Sequence, residues 1–143
     1  MKTIVTIPRR AIPKGSTHAF KHRITGKIIT KQNNADSLYE YQDFIAYACR
    51  KAGVKVSDGP VKIEAKYMFQ RPLSHFKSGD RSKGLKPSAP IHYLQTPDKD
   101  KLDRAVFDAL HGVAYNDDKQ VVESTSSKGW TTDGDVVFLD ITN

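Results

Sequence analysis

Apolar side chains occupy every second position from Val61 to Phe69. A period of two is typical of a β-strand that is buried on one face, and no other segment of the chain shows it so clearly. Residues 36–52 instead repeat apolar side chains every three or four positions and are followed by Gly53, which predicts an amphipathic helix. A strand and a helix that each bury one side indicate an α+β fold.

The remaining patterns extend this prediction along the chain. Pro8 ends a short strand that includes Val5 and Ile7, and a second helix is predicted near residues 100–111. Further strands are predicted at 93–95, 120–126 and 136–141, with the glycine of 133–135 forming a hairpin turn between the last two. We therefore predict one α+β domain over residues 1–143, with a small mixed sheet packed against two main helices.

Length and composition exclude several classes of protein. The chain has 143 residues, 38% of them hydrophobic, which is enough for one core. No apolar run reaches the roughly 18 residues of a membrane span, and the patch Ile4–Ile7 is shorter than a signal-peptide core, so we expect a cytoplasmic protein without membrane contact. The lone Cys49 excludes disulfide scaffolds and cysteine zinc sites, and its place on the apolar helix face predicts a packed core thiol.

Charge is distributed unevenly along the sequence. The net charge is +7, but residues 1–90 hold 18 Lys/Arg against 6 Asp/Glu, while residues 91–143 hold 5 against 10. An overall excess of basic residues favours a polyanionic partner. A basic surface around a local group of acids is what a metal-dependent enzyme acting on a phosphate backbone requires.

Two basic segments are candidate contacts for that backbone. Residues 9–31 contain seven Lys/Arg and no acid, with Thr25-Gly26 as a turn, which fits either a basic hairpin or an ordinary solvated loop. Residues 71–90 contain three Pro, two Gly, four Ser and five Lys/Arg, which predicts a long, flexible basic loop. The second segment is either a phosphate contact or a plain insertion.

The acids concentrate around the second predicted helix. Asp98 and Asp100 lie at its start, and extended backbone over 113–118 would be long enough to bring Asp117 or Asp118 back beside them. Carboxylates that close repel one another unless a cation neutralises them, and Mg²⁺ prefers such oxygen ligands. The alternative is that these acids only complement the helix dipole. EF-hand, zinc-ligand and P-loop spacings are all missing from the sequence.

One ordered pair of motifs resembles a known family. The segment Pro97-Asp98-x-Asp100-x-Leu102-x-x-Ala105-x-x-Asp108-Ala109-Leu110, followed by Asn116-Asp117-Asp118-x-Gln120-Val121, is similar to the RusA family of Holliday junction resolvases. The resemblance implies that Asp98, Asp100 and Asp118 bind Mg²⁺, with Mn²⁺ as the alternative ion and Asp117 as a weaker ligand. Arg104 stands where the family often has lysine and would contact the scissile phosphate, unless it only pairs with a helical acid.

The same resemblance implies a homodimer that resolves four-way DNA junctions by paired symmetric nicks in recombination and repair, in a bacterial or phage-infected cell. Its products would carry 5′ phosphates and 3′ hydroxyls, and it would need no small-molecule cofactor. The predicted DNA contacts are Arg9, Arg10, Lys21, Arg23, Lys27, Arg71, Lys77, Arg81 and Lys83. Two other functions remain open: a non-catalytic basic DNA-binding protein, and a nuclease acting on other branched DNA.

Overall fold

Strands from both ends of the chain meet in one sheet. The computed structural model describes residues 1–15, 17–21, 23–32 and 35–143, with side chains described outside 16–22 and 28–35. The strands are β1 (Lys2–Ile7), β2 (Thr17–Lys21), β3 (Ile28–Gln32), β4 (Val61–Gln70), β5 (Val121–Thr131) and β6 (Val136–Thr142), and the helices are α1 (Ala35–Lys51) and α2 (Lys99–Leu110). Neither helix in the described ranges is long and apolar enough to cross a bilayer.

The main sheet has four strands in the order β1-β6-β4-β5. The β1–β6 and β4–β6 pairs are antiparallel and the β4–β5 pair is parallel, so the sheet is mixed as predicted. β2 and β3 form a separate antiparallel hairpin, which pairs 17–21 with 28–32. The turn predicted at Thr25-Gly26 lies between these two strands.

The core lies between one face of the sheet and the two helices. Alternate residues of β4 point into it, which is why the period of two predicted this strand correctly. Leu38, Tyr41, Ile45 and Cys49 of α1 are buried at helical spacing, and Cys49 is a core thiol as predicted. Burial raises the pKa of Cys49 to about 11, so the thiol is neutral near pH 7.

Two sequence predictions of local structure are wrong. β5 and β6 do not form a hairpin, because both pair with β4 and lie on its opposite sides. The short connection between them passes the end of β4, where the Asp135 carboxylate accepts a hydrogen bond from the backbone N–H of Gln70 at 2.7 Å. Residues 93–95 form no strand; Tyr93 is buried because its ring stacks on Phe69, with centroids 4.3 Å apart.

Residues 71–90 contain neither strand nor α-helix, but they are not featureless. Three 3₁₀ turns cover 73–75, 77–79 and 81–83, and Phe76 between the first two is buried. Trp130 of β5 packs against this region, since its ring lies 4.8 Å from His75 and 4.5 Å from Tyr93. Trp130 is therefore a packing residue, and it holds the base of the loop against the sheet.

Candidate active site

The amino end of α2 presents two carboxylates to solvent. Asp98 is the residue that precedes the helix, and its side chain makes no capping hydrogen bond. Asp100 lies in the first turn, is exposed, and has an oxygen 3.9 Å from the Arg104 guanidinium one turn later. The positive end of the helix dipole favours negative charge at both positions. Pro97 precedes them, and the backbone of Asp98 is extended.

A basic groove opens beside Asp98. It has a volume of about 530 Å³ and is lined by Arg10, Ala11, Ile12, Pro13, Gly15, Thr96, Pro97, Asp98 and Lys101. The backbone N–H of Lys14 donates to the Lys101 carbonyl at 3.0 Å, which fixes the segment after β1 against α2. Arg10 is held over the Phe69 ring at 4.9 Å and lies 3.8 Å from Asp135. Positive side chains therefore border the acid, as binding of a phosphate backbone requires.

Polar side chains of α2, β4 and β5 attach the helix to the sheet. The partly buried Asp103 carboxylate accepts hydrogen bonds from the Tyr67 hydroxyl at 2.7 Å and from the Ser126 hydroxyl at 2.8 Å. The Lys99 ammonium donates to Ser126 Oγ at 2.7 Å and lies 3.4 Å from Asp103. Because charge-assisted hydrogen bonds are the stronger ones, this network fixes the turn of the helix that carries Asp100.

Tyr67→Phe is expected to destabilise the fold by about 1–2 kcal/mol, because it leaves the partly buried Asp103 carboxylate without one donor. Burial and the bond to Asp103 both raise the pKa of Tyr67, so the phenol stays a proton donor at neutral pH. The matched control is Tyr41→Phe, since the buried Tyr41 hydroxyl has no hydrogen-bond partner among the described residues. We expect that control to be neutral or slightly stabilising in urea unfolding; equal losses in both variants would contradict the network.

The second acidic pair forms a turn of its own. Asp117 caps a 3₁₀ turn over Asp118–Gln120 and accepts a hydrogen bond from the Lys119 N–H at 3.0 Å. The Gln120 side chain accepts from the N–H groups of Asn116 and Asp117 at 2.9 and 3.0 Å. Its amide donates to the Ser57 carbonyl at 2.6 Å. Asn116, Asp117 and Gln120 thus build the turn, and the exposed Asp118 is the acid that it presents.

This turn lies at the opposite end of α2 from Asp98. The Tyr115 hydroxyl donates to the Phe107 carbonyl in the last turn of α2, at 2.6 Å. Burial raises the pKa of Tyr115, and the nearby carboxylates of Asp118 and Asp108 raise it further. The far end of β5 meets the helix entry instead, because the Lys128 ammonium donates to the Pro97 carbonyl at 3.1 Å.

Backbone geometry explains this separation. The chain turns sharply after α2, where the Gly112 N–H donates to the Tyr115 carbonyl at 2.7 Å, and Gly112 has a φ of +78° that suits glycine. The predicted extended return over 113–118 is therefore wrong, and β5 makes the return instead. Twelve residues of helix rise roughly 18 Å, which separates Asp118 from the two acids at the helix entry. Within the described ranges of one chain, no three His, Cys, Asp or Glu residues form a group that could hold a metal ion.

The predicted DNA contacts differ in their surroundings. Arg9 forms an ion pair with Glu40 at 3.1 Å, and the Arg71 guanidinium donates to the Pro90 carbonyl at 2.7 Å, so both have partners within the fold. Arg10 lines the groove. The exposed members of the prediction are Arg10, Arg23, Lys27, Lys77, Arg81 and Lys83, while the Lys21 side chain lies outside the described residues.

Comparison with known proteins adds to this geometry. A family model described as endodeoxyribonuclease RusA matches residues 11–141, which include α2, both acidic pairs and all of the groove lining except Arg10. The chain belongs to the RusA family. RusA-family proteins are endodeoxyribonucleases that act as Holliday junction resolvases. No curated protein matches the chain. The RusA resemblance seen in the sequence is thus confirmed over nearly the whole chain.

Sequence reasoning missed two structural parts of this RusA-family site. Gln120 stands three positions after Asp117, which is the spacing of a capping box, so the turn could have been predicted from the sequence. Asp103, Ser126 and Tyr67 come from three separate elements, and no local pattern brings them together.

Arg104 lies near Asp100 but both side chains are about two-thirds exposed, at 68% and 66%, so the ion pair contributes little to stability.

Proposed function

We propose that this chain is a Mg²⁺-dependent endonuclease that resolves Holliday junctions by paired symmetric nicks during recombination and repair. The observation that carries the proposal is the placement of exposed Asp98 and Asp100 at the positive end of a helix, beside a groove lined by Arg10 and Lys101. Catalysis at a phosphodiester needs carboxylates for a divalent ion and cations for the DNA backbone in one place. The helix entry offers both.

The donor set fits Mg²⁺ in its chemistry. Asp98, Asp100 and Asp118 are exposed carboxylates, and this ion prefers oxygen ligands and keeps several waters. When bound, Mg²⁺ supplies activation of water and stabilisation of charge on the leaving oxygen. In the proposal Asp98 and Asp100 hold the ion, and Arg104 contacts the scissile phosphate. Arg10 and Lys101 orient the DNA strand. Mn²⁺ is expected to substitute.

A single chain does not bring the three carboxylates together, and we propose that a homodimer does. Asp98 and Asp100 lie at one end of α2 and Asp118 lies near the other. A two-fold axis across the helix direction exchanges these ends, so that Asp118 of each copy approaches Asp98 and Asp100 of the other. Two equivalent sites related by that axis would also suit a two-fold symmetric junction. Asp117 caps its turn, so its role is to position Asp118.

Cleavage of a four-way junction by the wild-type protein tests the function directly. We expect symmetric nicks in Mg²⁺ or Mn²⁺, none in EDTA, and salt-dependent junction binding in all three conditions. A linear duplex and a flap of the same sequences are the substrate controls. Binding without cleavage in either metal would show a non-catalytic DNA-binding protein, and equal cleavage of the flap would show a nuclease for branched DNA in general.

A further inference from the structure

Three consecutive carbonyl groups just before α2 are held by two side chains. The Lys128 ammonium donates to the Gln95 carbonyl at 2.7 Å and to the Pro97 carbonyl at 3.1 Å. The Tyr93 hydroxyl donates to the Thr96 carbonyl between them at 2.6 Å. The next residue is the first acid of the candidate site, so the backbone that leads into this acid is fixed on its amino side.

Both donors have fixed positions of their own. The Tyr93 ring is buried, stacks on Phe69 with centroids 4.3 Å apart, and lies 4.5 Å from Trp130. The Lys128 ammonium lies 5.2 Å from the centre of the Tyr93 ring, within the range of a cation–π interaction. The two donors therefore hold each other as well as the carbonyls.

The alternation of side chains along β5 explains why Lys128 reaches this point. Ser126 and Lys128 are two residues apart, so their side chains leave the same face of the strand. Ser126 bonds to Asp103 of α2 at 2.8 Å, while Lys128 bonds to the residues that precede the helix. One face of β5 thus holds both the helix and the segment that enters it.

Asp98 depends on this backbone for the direction of its side chain. The side chain makes no capping hydrogen bond, and the backbone at this residue is extended, with φ −70° and ψ 141°. On the other side, the Asp98 carbonyl accepts a hydrogen bond from the Leu102 N–H at 3.2 Å. The position of the carboxylate therefore follows from the backbone bonds on either side of it.

We propose that Lys128 is a positioning residue for Asp98 and that it acts by holding the Gln95 and Pro97 carbonyls. This inference rests on the proposed function, because it gives Lys128 a role in placing a carboxylate that binds the divalent ion. Removal of a group that orients a metal ligand without touching the metal typically weakens metal binding roughly 10- to 100-fold. In this role Lys128 touches neither the ion nor the DNA.

Lys128→Met tests the role, because it removes the donor and keeps a long unbranched side chain. We expect the Mg²⁺ concentration for half-maximal junction cleavage to rise about tenfold, with junction affinity in Ca²⁺ unchanged within about twofold. Loss of a positive charge would by itself strengthen the binding of a cation, so a rise in the Mg²⁺ requirement identifies positioning. Lys128→Arg keeps a charged donor and is expected to return the requirement to within about threefold of wild type.

Hydrogen–deuterium exchange of the metal-free protein gives a readout that does not depend on activity. In Lys128→Met the amides of residues 94–102 are expected to exchange about tenfold faster, while those of β4 exchange as in wild type. Lys66→Met is the matched control, because it removes the same charge from an exposed position on β4. It should change neither the Mg²⁺ requirement nor the exchange of residues 94–102.

Three results would overturn the assignment. Unchanged exchange over residues 94–102 in Lys128→Met would show that these bonds do not hold the helix entry. Weaker junction binding with an unaltered Mg²⁺ requirement would make Lys128 a DNA contact instead. If the wild type cuts the junction and Lys128→Met needs no more Mg²⁺, the nuclease function stands and the positioning role fails. If the wild type cuts no junction but exchange over 94–102 rises as expected in the variant, the nuclease function fails and Lys128 still orients the backbone of Asp98.

Discussion

Asp100→Asn is expected to lower the rate of junction cleavage on the order of 100-fold or more while leaving junction binding within a factor of about two. The substitution keeps the size of an exposed side chain but removes the negative charge that a divalent ion requires. A loss of that size corresponds to about 2.7 kcal/mol or more of transition-state stabilisation. Cleavage under single-turnover conditions and junction binding in Ca²⁺ measure the two quantities separately.

Asp108→Asn is the matched control for this variant. Asp108 lies on the same helix but pairs with Lys14 at 2.8 Å, away from the helix entry, and both side chains are partly exposed. Losing such a pair costs at most about 1 kcal/mol of stability. Cleavage by Asp108→Asn should remain within a few-fold of wild type. If Asp100→Asn cuts the junction as fast as this control does, the metal assignment at Asp100 is wrong.

Mixing Asp98→Asn with Asp118→Asn is expected to restore cleavage that neither variant has alone. In a shared site, a heterodimer of the two variants carries both substitutions in one site and none in the other. Random association makes half of the dimers mixed, so about a quarter of the wild-type sites should recover. Coexpression of the two chains, followed by a nicking assay, measures this fraction.

The control for that mixture is Asp98→Asn with Asp100→Asn. Both of these residues lie at the entry of α2, so every site in a mixed dimer would carry one substitution. This second mixture should therefore remain inactive. Failure of the first mixture to exceed the second, with mixed dimers confirmed by mass spectrometry, would show that the three carboxylates act within one chain.

Local patterns predicted the elements of this fold better than the way they join. The alternation in 61–69 and the helical spacing in 36–52 each report burial of one face, and both elements form where they were expected. The order of the strands depends on which edges meet, and no local pattern encodes that choice. The glycine at 134 therefore predicted a hairpin between β5 and β6, whereas β4 lies between them.

The candidate site was predictable in its residues and not in its geometry. Asp98 and Asp100 could be placed at the start of a helix because Pro97 and the apolar stripe mark that start. The path after the helix depends on the turn at Gly112 and on the contacts of Tyr115 and Gln120, which come from several elements. The length of residues 113–118 would allow Asp118 to return to the helix entry. The contacts of Tyr115 and Gln120 hold it at the carboxyl end of α2 instead.

The segment between β4 and α2 leaves and re-enters the fold at neighbouring points. The Arg71 N–H bonds to the Thr131 carbonyl at one end of the segment, and Lys128 bonds to the Gln95 and Pro97 carbonyls at the other. Both ends are therefore attached to the last four residues of β5. Changes in the length of the segment between these two points are therefore expected to leave the acidic helix entry in place.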